Sequence, residues 1–257
     1  MLTLPLAVSF AAVVLVTSFL SGIFGMAGGM VLMGLLLVML PVAQAMLLHG
    51  VTQLAANGWR AWLWRAHVRW RTVGCYGAAA ILTACGFAVL PFATDKAAAL
   101  VVLGSLPFAA MLLPRQVRAD ATRGAHACAC GVICTILQLL AGISGPILDL
   151  FFVQAAMDRK QVVATKAAIQ VFSHTLKIVY FGSLLRWGSN REAGMIEPLV
   201  FLIAIGCAVT GTNLSRRVLD AMNEAQFRVW TKWIVLVTGT IYLGQGLYLM
   251  LVAPGQT

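Results

Sequence analysis

The chain comprises 257 residues, 61% of them hydrophobic and only 10% charged; soluble domains carry about 25% charged residues, so this composition excludes an ordinary soluble enzyme or binding module. No polar stretch is long enough to build a separate domain, and an all-α polytopic membrane protein with one integral unit over residues 1–257 is expected. The formal charge of +10 does not read as nucleic-acid binding, because Lys and Arg gather in short loops between apolar runs, where they set topology instead.

In chain order, the first apolar run at residues 4–22 has no Lys or Arg before it and no small-residue cleavage site after it, and reads as a first span instead of a removable leader. Further runs of spanning length fall at residues 42–64, 72–92, 97–113, 124–141, 160–185, 195–213 and 230–252. Two shorter stretches, 30–40 and 147–157, follow the Gly-broken turns SGIFGMAGGM and AGISGP and predict short or re-entrant helices, each paired with a full one. Cys75, Cys85, Cys128, Cys130, Cys134 and Cys207 all lie in apolar helical sequence. Cys128 and Cys130 are turned about 200° apart on a helix, so small packing residues are expected there, with no metal and no cofactor.

The order long helix, Gly turn, short helix, then three long helices occurs twice, which predicts one repeat over about residues 1–113 and another over about 122–253. Gly22 and Gly25 align with Gly142 and Gly145; past a three-residue gap, Gln44 aligns with Gln161, His49 with Lys166, Gln53 with Gln170, Asn57 with His174 and Arg60 with Lys177. Each copy crosses the membrane an odd number of times, so the two copies are expected in inverted orientation. Placing Arg65, Arg69 and Arg71 in the cytoplasm also places Arg115, Arg118, Arg123, Arg159, Lys160, Arg216, Arg217, Arg228 and Lys232 there, and leaves Lys96, Arg186 and Arg191 outside. Both termini then face outward. Trp62, Trp64, Trp70, Trp230 and Trp233 border the same basic loops, as interfacial aromatics do.

His49, Gln53, Asn57 and Arg60 occupy one narrow stripe of a helix, at roughly 0°, 40°, 80° and 20°, and Lys166, Gln170, His174 and Lys177 repeat the pattern. A charge at the bilayer centre costs about 2.5–3.5 kcal/mol on insertion scales. Helix-end cations escape that cost by reaching headgroups, but Gln53, Gln170, Asn57 and His174 gain nothing by facing lipid. If the stripes face each other, they line a polar cavity rich in donors and nearly free of carboxylates, which suits an anion. Short helices beginning after Gly28-Gly29 or at Pro146 would add unpaired N–H groups and a positive dipole end; close helix packing is the other reading of these glycines. Asp149, one turn after Pro146, either pairs with a Lys or His or carries a proton.

Two stretches resemble a known family: G-x-x-G-x-x-G-G over Gly22 to Gly29, and above all AGISGPILDLFF followed by DRKQVVATKAAIQVFSHTLKIVYFG, Asp158 to Gly182. On these residues the chain is similar to the sulfite exporter TauE/SafE family of membrane permeases. The resemblance implies a multi-pass carrier in the bacterial inner membrane, built from inverted repeats, for small sulfur-containing anions such as sulfite or sulfonates.

Three functional readings remain open. The first is a secondary transporter working by alternating access, with Gln53, Asn57, Gln170 and His174 hydrogen-bonding the anion, and Arg60, Lys166 and Lys177 supplying charge. His49, His174 and Asp149 are its candidates for proton coupling, and Gly22, Gly25, Gly28, Gly29, Gly142, Gly145 and Pro146 form its anion-facing turns. With the cell interior negative, moving one negative charge outward gains about 2.3 kcal/mol per 100 mV, so export needs no coupling ion. The second reading is an anion channel. The third, an intramembrane enzyme acting on lipid headgroups, lacks a second carboxylate near Asp149 for paired acid–base work. Membrane lipid surrounds the chain in all three, and a homodimer is compatible with each.

Overall fold

A computed structural model describes residues 4–24, 26–89, 95–112, 119–152, 155–187, 196–221 and 224–252. Among the described residues it holds ten α-helices and no strand. They are α1 (Leu4–Phe24), α2 (Met26–Met39), α3 (Val42–Leu63), α4 (Trp70–Val89), α5 (Lys96–Leu112), α6 (Gly124–Ala141), α7 (Gly145–Phe152), α8 (Arg159–Trp187), α9 (Pro198–Ala221) and α10 (Glu224–Leu251), with a 3-10 turn at Arg65–His67 between α3 and α4. The protein is therefore an all-α polytopic membrane protein.

Local chemistry explains several boundaries. Pro41 sits extended just before α3, where a residue without an N–H orphans nothing. Gly142 ends α6 in the left-handed conformation at φ 78°, its N–H bonded to Gln138 O. Pro146 falls in the first turn of α7, where its ring is tolerated. Pro107 lies inside α5, the one described helix recorded with an internal proline.

Six helices, α1, α4, α6, α8, α9 and α10, are long and apolar enough to cross a membrane. The sequence predicts eight such spans. The difference falls on α5, which has 17 residues, and on α3, whose 22 residues suffice in length but whose His, Gln, Asn and Arg stripe lowers its hydropathy. A second correction concerns α2. It does not begin after Gly28-Gly29; the helix is under way from Met26, and both glycines lie within it. A Cβ on Gly28 would collide with the α1 backbone at Ser21 N and Thr17 O. The glycine serves close packing of α2 on α1 and does not break the helix. Arg115, Arg118 and Arg191, used above to orient the chain, lie outside the described residues.

The helices pair in a regular way. α1 packs along α9 and α4 along α6, while α3 packs along α8 and α5 along α10. α3 and α8 run antiparallel, since Leu47 meets Gly182, Gly50 meets Ile178, and Trp64 meets Lys160. The core between them is lined by Met33, Leu36, Leu37, Met46, Leu48 and Leu103, all buried. Leu82, Val89, Leu202 and Leu251 face outward on the other helix surfaces, as lipid-facing side chains do, and Trp62, Trp70, Trp230 and Trp233 are also exposed. Cys130 and Cys134 are buried one helical turn apart with Sγ atoms 3.7 Å apart, packed beside Tyr76.

Gly104 and Gly239 let α5 and α10 touch at backbone distance; a Cβ on Gly104 would stand 2.7 Å from Gly239 O and closer still to Leu243 N. Gly104→Leu is expected to force these helices apart and to shift reconstituted protein toward aggregate on size exclusion. Gly86→Leu, placed where a Cβ meets nothing within 4 Å, is expected to elute as the parent does.

Candidate functional site

The two polar stripes lie on the helix pair at the centre of the fold. On α3, His49, Gln53 and Asn57 are buried and Arg60 is half-buried; on α8, Gln170, His174 and Lys177 are buried and Lys166 is half-buried. The antiparallel crossing brings the first residue of one stripe to the last of the other. Lys177 Nζ donates to His49 Nδ1 at 2.8 Å and to Gly142 O at 2.8 Å, with Met33 Sδ at 3.9 Å. The His49 and His174 rings meet edge to face, with centroids 5.5 Å apart.

His49 is fixed on its other side as well. A carbonyl only accepts, so the 3.0 Å contact with Gly29 O requires a proton on His49 Nε2. Nδ1 is then the bare acceptor that faces Lys177. The same logic reaches His174, whose Nδ1 lies 2.9 Å from Gln138 Nε2, while Gln138 Oε1 accepts from Ser144 Oγ at 3.3 Å. Gln138 and Ser144 are both buried. Neither was singled out from the sequence. The available signal was a lone Gln one turn before the glycine that ends α6.

At the other end of the crossing, Asn57 Nδ2 donates to Gln53 O at 2.9 Å, and Arg60 reaches Asn57 Oδ1 at 3.4 Å and Ser21 O at 3.3 Å. Gln53 Nε2 is buried with no hydrogen-bond partner. A donor of that kind costs about 1–3 kcal/mol unless something fills its place. Gln170 is buried on the facing helix.

Lys166 pairs with Asp149, joining α8 to α7. Their side chains are 24% and 46% exposed, so the pair is worth at most about 1 kcal/mol after screening. Asp149→Asn is expected to change the unfolding temperature by no more than about 3 °C in thermal unfolding of the solubilised protein.

The turns divide. Gly142 and Gly145 stand at the break between α6 and α7, with Pro146 next in the chain, and Gly142 lends its carbonyl to Lys177. Gly22 lies inside α1, where a Cβ would collide with Ser215 of α9. Gly28 and Gly29 lie inside α2, Gly29 against the Gln53 amide. Gly25 lies outside the described residues.

Two pairs of contacts can be set beside the residue alignment given above. Aligning Gly22 with Gly142 carries Gly29 onto Asp149, and His49 aligns with Lys166: His49 touches Gly29, and Lys166 touches Asp149. Arg60 aligns with Lys177: Arg60 bonds Ser21 O, and Lys177 bonds Gly142 O, each at the end of the first helix of its half.

Chemically, this arrangement concentrates positive charge without matching acid. Asp120 pairs with Arg123, and Asp149 with Lys166. Lys177, 0% exposed, has only neutral acceptors. No group of three His, Cys, Asp or Glu residues able to hold a metal ion occurs among the described residues.

No curated protein and no solved structure matches the chain. A comparison with protein families matches residues 10–242 to the family described as Sulfite exporter TauE/SafE. Nearly the whole chain is covered, including both stripes and both glycine turns, and the chain belongs to the sulfite exporter TauE/SafE family of membrane transporters.

Proposed function

We propose that the protein is a non-enzymatic secondary carrier that exports a small sulfur-containing oxyanion, such as sulfite or a sulfonate, across the bacterial inner membrane by alternating access. The anion binds between α3 and α8. Gln53, Asn57, Gln170 and His174 hydrogen-bond its oxygens, Lys177 and Arg60 supply charge, and His49 positions Lys177. Lys166 contributes when it leaves Asp149. The observation that carries this reading is Lys177: a completely buried amine with no acid beside it is expensive to maintain unless an anion is its proper partner. Gln53 Nε2, buried without a hydrogen-bond partner, is a second donor on α3.

Two halves of five helices related by an inverted pseudo-two-fold, about residues 1–113 and 122–253, supply the moving parts. Support comes from the pairing of α1 with α9 and of α6 with α4, from the antiparallel α3–α8 and its partner crossing α5–α10, and from the matched contacts of the two stripes. An odd number of helices in each half inverts the second. Rocking one half on the other would expose the α3–α8 site to each side in turn.

The test is flux of radiolabelled sulfite and methanesulfonate in proteoliposomes. Saturable uptake with counterflow supports the carrier. Unitary currents in planar bilayers would replace it with a channel, and release of a chemically altered product would replace it with an enzyme. Gln53→Leu is expected to lower flux about 10-fold or more while leaving stability nearly unchanged, since it removes a buried Nε2 donor that has no partner and gives up only the long 3.5 Å contact of Gln53 Oε1 with Asn57 Nδ2.

A further inference from the structure

Two short hydrogen bonds and one long contact surround Lys177. His49 Nδ1 and Gly142 O are each 2.8 Å away, while Met33 Sδ, a weak acceptor, is at 3.9 Å. Two N–H groups satisfy both short bonds; the neutral amine has two and the ammonium three. The third tetrahedral position faces only the thioether. A proton arriving or leaving there breaks neither short bond.

The neighbours admit one positive charge and no more. From α3 the facing titratable group is His49, held as the neutral tautomer by Gly29 O; on α8 itself it is His174, whose Nδ1 is engaged by Gln138 of α6. From α2 the facing groups are Met33 and Gly29 O, and from α6 Gly142 O and Gln138. A proton on His49 Nδ1 would turn that acceptor into a donor aimed at the amine. Arg60 is eleven residues from His49 along α3, about 16 Å at 1.5 Å per residue. Lys166 is equally far along α8 and already neutralised by Asp149.

We infer that Lys177 takes up one proton each time an anion binds, at the position facing Met33, and releases it when the anion leaves. This rests on the anion site proposed above. The step is balanced: the lone pair of the amine takes a proton from solution, no covalent bond to the anion forms, and the new N–H donates to the anion in place of the thioether. An ammonium with only neutral acceptors is costly in a site closed to water, and an anion removes that cost. Linkage is reciprocal, so protonation tightens anion binding by the same factor that anion binding favours protonation. A monovalent sulfonate then crosses without net charge, so its export draws on its own gradient and is opposed by a pH difference that is acid outside. A dianion still carries one negative charge outward.

The decisive measurement is titration calorimetry of the full chain in nanodiscs with methanesulfonate, which stays ionised at every working pH, in two buffers of different ionisation enthalpy. About one proton taken up per anion is expected, with affinity rising up to about tenfold per unit fall in pH, the most that one linked proton allows. Equal heats in both buffers, with binding intact, would overturn the proton step and leave the anion site standing. Absence of binding by methanesulfonate, sulfite and sulfate alike would remove the anion site and this step together. Lys177→Arg, permanently charged, is expected to bind methanesulfonate without proton uptake; uptake persisting in that variant would place the proton elsewhere. Should the arginine variant not fold, the proton count of the parent protein decides alone.

Discussion

Lys177→Met is expected to reduce anion flux in proteoliposomes by about 10- to 150-fold while moving the unfolding temperature by only a few degrees. Methionine roughly fills the space of the lysine stem but carries no charge. A charged hydrogen bond contributes about 1.5–3 kcal/mol, so the loss of the one that Lys177 donates to the anion amounts to some 10- to 150-fold in affinity. The stability balance runs differently. Removing the amine leaves His49 Nδ1 and Gly142 O without their donor, at about 1–3 kcal/mol each. Against that, the variant no longer has to strip water from an amine on folding, a cost of about 1–3 kcal/mol for a neutral polar group. The two contributions are opposite in sign and partly offset each other. A residue kept only for structure would show the reverse pattern, with flux per folded molecule retained and the unfolding temperature falling steeply. Flux and thermal unfolding measured on the same preparation separate the two outcomes.

What the sequence revealed and what it concealed divide along physical lines. The stripes on α3 and α8 were legible because four polar residues at matched spacing create a pattern in otherwise apolar helices, and each helix displays it alone. Which residue meets which was not legible. The contact between His49 and Lys177 spans 128 positions, and it depends on where two helices cross. Gln138 escaped because a single polar residue has no period to reveal it, and only the fold turns it toward His174. Gly28-Gly29 misled for a different reason. Two adjacent glycines cost helix propensity, but here the cost is offset by letting α2 lie against the α1 backbone at Thr17 and Ser21. Gly142, by contrast, was legible as a break, and it does end its helix. The two glycine runs look alike in sequence but serve different purposes, one for close approach and one for a backbone turn.

That difference gives Gly142→Ala a cost with two sources, backbone strain and crowding. At φ 78°, a side chain strains the backbone by about 1–2 kcal/mol. The new Cβ would also stand 2.6 Å from Met33 Sδ and 2.6 Å from Met46 Sδ. Both sulfurs sit well out along flexible side chains, so they yield instead of blocking the fold, but displacing buried groups adds about 1–3 kcal/mol. Together these predict a fall in unfolding temperature of roughly 5–15 °C for a chain of this size. Function should suffer beyond stability, because Gly142 O is one of the two close partners of Lys177 and Met33 is its third neighbour. Flux per folded molecule is expected to fall about 10-fold. Met33→Ala on the same background would relieve crowding but not the φ strain, and should recover only part of the lost stability. Gly58→Ala, in α3 where a Cβ meets nothing within 4 Å, is the contrasting change: it should leave flux intact and hold or raise stability by up to about 1 kcal/mol. Equal behaviour of the two alanine variants would mean that the turn at Gly142 neither needs a glycine nor positions Lys177.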